Sequence, residues 1–192
     1  DLSMARTLGS AVPSPEIGDN IAALIDTIPA KSNLLLTDGK IVLEEFTFSV
    51  TANAACQSLA QWVAEHVLPQ DDAFAYWRAK IAQDLVVLSD DDFCDFVSMS
   101  TEVITRTKIS SETGTVQSGM LWTEEYLPAD SMLYTLALAS DPFDTLEEKR
   151  ILKNAAEIMD FFTSGLKRAQ HIFQLGGNAT IGKGLVRVTM MH

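Results

Sequence analysis

The chain has 192 residues, 47% of them hydrophobic and 21% charged, a profile that excludes an intrinsically disordered or fibrous protein and fits one domain, at most two. Fourteen Lys and Arg against 26 Asp and Glu give a net charge of -12, which repels a polyanion at long range and argues against an independent, non-specific nucleic-acid binder. No apolar run reaches the roughly 18 residues of a membrane span, and Cys56 and Cys94 stand without CxxC or histidine partners, so no membrane span, disulfide framework or zinc site is expected and a reducing cytoplasm fits.

The chain opens Asp1-Leu2-Ser3-Met4, without an initiator methionine, so a processed start or a part of a longer product is expected. Pro13, Pro15 and Gly18 mark a surface loop over 10–20. Asp38-Gly39 lies between two apolar segments, a hairpin signal because glycine accepts positive φ, and the pattern predicts strands over 33–37 and 40–49. Thr51 is placed to cap a helix over 52–68, where Ala55, Leu59, Trp62, Val63 and Val67 keep three- and four-residue spacing before Pro69. A second helix follows Asp71 and Asp72 with Phe74, Trp77, Ile81 and Leu85 on one face; Val86-Val87-Leu88 either extends it or forms a short strand.

A third helix starts at Ser89. Its acids Asp90, Asp91, Asp92 and Asp95 invite a cation site, since carboxylates bind hard cations. Helix capping is the better account: Ser89 with Asp92 three residues on resembles a capping box, and acids in a first turn complement the helix dipole. Thr101 to Trp122 alternates polar and β-branched residues around Ser110-Ser111-Glu112-Thr113-Gly114, predicting a second hairpin in which Arg106 and Lys108 share a face with Glu102 and Ile104. Thr145 and Glu148 repeat the capping pattern ahead of a long helix whose Ile151, Ala155, Ile158, Met159, Phe162, Leu166 and Ala169 form one stripe, expected to pack on a sheet.

Leu175-Gly176-Gly177-Asn178-Ala179-Thr180-Ile181-Gly182-Lys183-Gly184 places four glycines between a helix and an apolar strand. Two uses of the block stand side by side. Its N–H groups, with Asn178, Thr180 and Lys183, are suited to cradle phosphates; alternatively Gly176 or Gly177 ends the helix and a tight turn follows. Gly177 to Lys183 also fits the first seven positions of an NTP-binding loop, but Gly184 stands where a magnesium-ligating hydroxyl belongs and too little chain follows for the helix that should receive the phosphates. His66, His171 and His192 have no metal-ligand spacing, and no G-x-S-x-G or Cys-His pattern suggests an independent hydrolase. Trp62, Trp77 and Trp122 are expected in core or interface positions.

Three blocks, Val42-Leu43-Glu44-Glu45-Phe46, Gly119-Met120-Leu121-Trp122-Thr123-Glu124-Glu125-Tyr126-Leu127-Pro128 and the glycine-rich stretch, together resemble the RAMP superfamily of CRISPR proteins, most closely the backbone subunits of type III-B (Cmr) effector complexes. The resemblance covers nearly all of the chain but only the later part of a family member. The family's N-terminal histidine- and glycine-containing block and its cleavage aspartate have no counterpart in Asp1 to Asn33, so a fragment or incomplete product is expected. The implied fold is α+β, an incomplete ferredoxin-like (RRM-like) RAMP core. Residues 1–50 are expected as an N-terminal stub, loop and hairpin of that core, 51–100 as a helical insertion or lid, and 101–192 as the hairpin, long helix and glycine-rich part.

By the same resemblance the chain is expected to contact guide RNA and target RNA, to associate with other Cmr subunits and with copies of itself along the guide, and to serve antiviral defence. Gly176, Gly177, Asn178, Thr180, Gly182, Lys183 and Gly184 would lie near the guide backbone, and Arg106 and Lys108 in an RNA-facing hairpin. Arg187 is a further candidate phosphate partner, or faces solvent. Glu124 and Glu125 match a motif tied to the cleavage site, as a metal ligand or a proton acceptor, although adjacent acids at a strand end also occur simply solvated. The assembled complex would use a divalent metal, magnesium, and this chain alone none. Catalysis by this chain alone is not expected, and a purely structural assembly module is the competing reading. A third, an isolated phosphate-ligand protein, would require saturable nucleotide binding by the chain alone. The acidic net charge fits RNA contact only if cations lie in other segments, in neighbouring subunits or in a local groove.

Overall fold

The computed structural model describes residues 21–143 and 151–191, so the proposed 10–20 loop and the Thr145–Glu148 cap lie outside the described residues. The described residues form two compact units: 21–63 with 78–133, and 64–77 with 134–143 and 151–191. The fold is mixed α/β, with four two-stranded sheets among the described residues.

In the first unit, β1 (Thr27–Ile28) is bonded on both sides. It pairs in parallel with β4 (Thr51–Ala52), and Thr27 exchanges backbone hydrogen bonds with Val87 at 3.3 and 3.0 Å, so Val87 is strand-like and not a helix extension. β2 (Lys40–Leu43) and β3 (Phe46–Ser49) form an antiparallel hairpin. The predicted strand over 33–37 does not form, and 40–49 is two strands. Asp38-Gly39 does turn, with the Leu36 N–H donating to Lys40 O at 2.8 Å, but the hairpin reverses at Glu44-Glu45.

The apolar alternation explains the shift: reversal there pairs Ile41 with Phe48 and Leu43 with Phe46, so all four face inward, while Glu44 accepts a φ of 52°. Ile28, Ile41 and Val50 form the core, with Leu34, Leu35, Leu43, Phe48 and Val86 packed on it.

Helix α1 (Ala54–His66) is capped by Asn53, not Thr51, which β4 occupies; the Asn53 Oδ1 accepts from the Ala55 N–H at 2.7 Å. Its fully buried residues Cys56 and Ala60 are small, which lets the backbone pack closely, whereas the larger side chains of the predicted stripe are half-buried. Burial pushes the Cys56 thiol up, against a hydrogen bond with Thr27, so it stays protonated. Helix α2 (Ala75–Asp84) follows a 3-10 turn over Asp72–Phe74. Its last residue Asp84 accepts from Ser32 Oγ (2.8 Å), the Asn33 N–H (3.0 Å) and Lys80 (2.7 Å), tying residues 32–33 to the helix.

Helix α3 (Asp90–Met99) bears out the capping account of its acids. Ser89 Oγ accepts from the Asp92 N–H at 3.1 Å, and the Asp92 carboxylate accepts from the Ser89 hydroxyl at 2.7 Å. Phe96 of this helix packs edge-on against Phe46 and Phe48. The long hairpin β5 (Glu102–Ile109) and β6 (Val116–Tyr126) completes the unit, its turn closed by the Ser110 N–H on Thr115 O.

In the second unit, α4 (Ala155–Arg168) begins later than predicted and leaves Ile151 outside and exposed. Asn154 caps it, accepting from the Glu157 N–H at 2.9 Å, while Glu157 accepts from the Lys153 N–H at 2.7 Å. No residue of α4 is buried. The helix ends in left-handed Gln170 and His171, not at Gly176 or Gly177. A short strand β7 (Ile172–Gln174) intervenes and pairs antiparallel with β8 (Leu185–Arg187). Among the described residues no helix is long and apolar enough to cross a membrane.

Candidate nucleic-acid interface

The period of two along a strand puts Ile104 and Arg106 of β5 on one face, and Trp122, Glu124 and Tyr126 of β6 with them. Register sets Arg106 opposite Trp122 and Ile104 opposite Glu124. Arg106 reaches diagonally to Glu124, Nε to Oε2 at 2.6 Å, and donates from Nη2 to the Tyr126 hydroxyl at 3.1 Å. Trp122 Nε1 donates to Glu124 Oε1 at 2.9 Å, and the Tyr126 hydroxyl donates to Glu124 Oε2.

The Tyr126 hydroxyl first, then the Trp122 indole and the Arg106 charge, hold the Glu124 carboxyl below its ordinary range against the opposing effect of burial. Glu125 points to the other face and is exposed, accepting from Thr101 Oγ1 at 2.5 Å. The structure therefore separates the two glutamates: Glu124 is an oriented anion, Glu125 a surface acid. It also joins Arg106, expected on RNA, to Glu124, expected at the cleavage site. Lys108 is exposed on the same strand.

Sequence reasoning missed the parts of Trp122 and Tyr126, although Trp122-x-Glu124-x-Tyr126 carries the strand period that puts them together. Between Thr107 and Ile109 the register shifts, and the extra residues of β6 include Gly119 at φ 74°. The left-handed residue makes a bulge there, a conformation that costs any residue with a Cβ. Because the Glu124 oxygens already accept from three side chains, this carboxylate is not arranged as a hard-cation ligand. Among the described residues no group of three His, Cys, Asp or Glu is placed to hold a metal ion.

The glycine-rich block belongs to the other unit, where it is the loop joining β7 to β8. Asn178 and Gly182 are left-handed and flank a 3-10 turn over Ala179–Ile181. The loop folds on itself: the Ile181 N–H donates to Asn178 O (3.1 Å), Gly182 to Ala179 O (3.0 Å), Lys183 to Asn178 O (3.3 Å) and Leu175 to Gly184 O (2.8 Å). At Gly184 a Cβ would sit 2.1 Å from Leu175 O, so closure of this hairpin requires glycine. Of the two uses weighed above, the helix-ending one gives way to a hairpin loop, and the N–H groups of Gly182 and Lys183 are engaged internally. Gly176, Gly177, Asn178 and Thr180 are exposed and Lys183 is half-buried. With a strand on either side, the loop lacks the helix an NTP-binding loop needs.

Both sites lie within the stretch over which known proteins match this chain. The chain is 33% identical, over 99% of its length, to the CRISPR system Cmr endoribonuclease Cmr4 of Pyrococcus furiosus, and covers 57% of that relative. It is 30% identical over 112 residues to the CRISPR system CMR subunit Cmr4 of Saccharolobus solfataricus, covering 58% of this chain and 32% of that protein. The match thus spans 57% of the length of the first of these relatives and 32% of the second. The crystal structure of oligomeric Cmr4 from Pyrococcus furiosus superposes with a TM-score of 0.53 at 23% identity, covering 98% of this chain and 61% of that one, and so shares the fold. These findings bear out the resemblance read from the three blocks, and with the profile of the RAMP superfamily matching residues 22–187, the chain belongs to that superfamily.

Proposed function

We propose that this chain is an RNA-binding backbone subunit of a type III-B CRISPR effector complex, contacting guide RNA and contributing to cleavage of target RNA. The observation that carries the reading is the 33% identity to a Cmr endoribonuclease along 99% of the chain. Its partners on this reading are the two RNAs, other Cmr subunits and further copies of itself, in a reducing cytoplasm, and its core completes a ferredoxin-like RAMP fold with segments outside this chain. The glycine block Gly176, Gly177, Asn178, Thr180, Gly182, Lys183 and Gly184 offers an exposed polar loop to the guide backbone, with Lys183 the phosphate partner. Lys108 is the better RNA contact on the long hairpin, since Arg106 is engaged with Glu124.

Glu124 supplies a fixed negative charge at the cleavage site. Held ionised by three donors, it suits orienting Arg106 and Tyr126 at that site better than collecting a proton. A divalent metal, magnesium, serves the assembled complex with ligands drawn from other segments; the chain alone binds none and is inactive.

A second reading, a non-catalytic assembly module, is favoured by one observation: the Glu124 oxygens already accept from Arg106, Trp122 and Tyr126. Glu124→Gln and Glu125→Gln in a reconstituted complex separate the two. A loss of target cleavage by about 100-fold or more for Glu124→Gln, with normal assembly and with Glu125→Gln unaffected, supports the catalytic reading. Parental cleavage by both variants leaves the scaffold.

A further inference from the structure

The unit of residues 64–77, 134–143 and 151–191 holds a pocket of about 260 Å³ apart from the glycine loop itself, with Thr163, Lys167, His171, Arg187 and Thr189 in its polar lining. Val188 and Met190 add an apolar wall. In a chain of net charge -12, three basic side chains converge here on one cavity.

Arg187 is held in place from two sides. Its Nη2 meets Asp71 Oδ2 at 2.7 Å and its guanidinium lies over the Phe74 ring, 5.0 Å from the centroid. A guanidinium carries five N–H donors, so an ion pair through one nitrogen leaves others for an oxyanion.

His171 is the second sign of a site. Its Nδ1 is buried with no hydrogen-bond partner among the described residues, and its backbone is left-handed at φ 59°, directly after Gln170 at 53°. Two successive non-glycine residues in that region are strained, and strain of this kind persists where surrounding contacts hold it. Here the His171 N–H donates to Leu166 O and the His171 carbonyl accepts from the Val188 N–H, both at 2.8 Å, which fixes its backbone between α4 and the residue that follows β8. The ordinary account of Lys167, complementing the α4 dipole, uses its charge but leaves its ammonium donors to a ligand.

We propose that this pocket is a phosphate-binding site in which Lys167, His171 and Arg187, with the hydroxyls of Thr163 and Thr189, seat a phosphodiester of single-stranded RNA. The choice of RNA rests on the function proposed above; the phosphate chemistry does not. Val188 and Met190 give the adjoining ribose an apolar surface.

The test titrates the full chain with a labelled eight-nucleotide RNA by fluorescence anisotropy, and with inorganic phosphate by calorimetry, in the parent, Lys167→Ala and Asp71→Asn. Asp71→Asn removes a competing anion while leaving an amide oxygen that can still accept from Arg187 Nη2. Lys167→Ala is expected to weaken RNA binding about tenfold and to lower the salt slope by about one, and Asp71→Asn to tighten it about threefold. Shifts with RNA and none with phosphate identify RNA as the source. Shifts with phosphate while RNA fails to bind uphold the site but remove the RNA reading of the chain. RNA bound equally by all three proteins overturns the pocket and leaves the proposed function standing, and no binding of either probe overturns the pocket.

Discussion

In the long hairpin, strands of 8 and 11 residues set Arg106, Trp122, Glu124 and Tyr126 on one face, where they satisfy one another. In β7–β8, strands of 3 residues carry a glycine-rich loop whose backbone closes on itself and whose polar side chains are largely turned to solvent. The same topology therefore yields two kinds of surface. Long strands supply enough cross-strand neighbours to fix a charge in place, at the expense of its availability. Short strands leave the loop to set the geometry, and a loop ordered by its own backbone can present side chains at little further cost in conformational entropy.

The sharpest way to break the contrast is Gly184→Ala. A Cβ there meets Leu175 O at 2.1 Å with φ at 76°, so the β7–β8 closure must open. We expect a loss of about 3 kcal/mol, read from denaturant midpoints. Gly119→Ala, with a similar φ but open space around its Cβ, should cost only about 1 kcal/mol; equal losses would show that φ alone, and not the close approach, governs the loop.

Next is Glu124→Gln, which strips the long hairpin of the charge that orders its face. Its melting temperature should fall clearly below that of Glu125→Gln, since Glu125 bonds only Thr101 among the contacts described. If the two variants melt together, the oriented cluster has no energetic weight.

The same residue gives a pH signature. Its folded carboxyl titrates below the ordinary 4.5, so its contribution is fully present above that value and is lost as pH falls through the folded one. The melting-temperature gap between parent and Glu124→Gln should be constant from neutral pH down to about 5 and close on further acidification. A gap that widens in acid contradicts the ion pair.

Lys183→Ala completes the comparison with the smallest stability effect, within about 0.5 kcal/mol of the parent. RNA affinity in the assembled complex should nonetheless fall, with a salt slope lower by about one. Unchanged affinity would move the guide contact off the glycine loop.

Much of the local structure was legible in the residues. The Ser89–Asp92 cap, the turn at Asp38-Gly39 and the alternation of Thr101 to Trp122 each depend on neighbours a few positions apart, and each forms. Misplaced expectations had competitors of equal local merit: Asn53 replaces Thr51 as a cap, and Glu44-Glu45 reverses the hairpin because that register buries Ile41, Leu43, Phe46 and Phe48 together. Of the candidate site, the three blocks were visible as composition and order, and their kinship with the RAMP superfamily with them.

What the sequence by itself determined is therefore the strand period that aligns Trp122, Glu124 and Tyr126, and the family, whereas the need for glycine at 184 follows from the approach of Leu175 O across the β7–β8 hairpin. Only the tertiary structure decided that Arg106 belongs to Glu124, that Glu124 and not Glu125 is the oriented acid, and that Lys167, His171 and Arg187 share a cavity. These depend on cross-strand register and on contacts between residues up to 116 positions apart, as between Asp71 and Arg187, and local periodicity carries no information at that range.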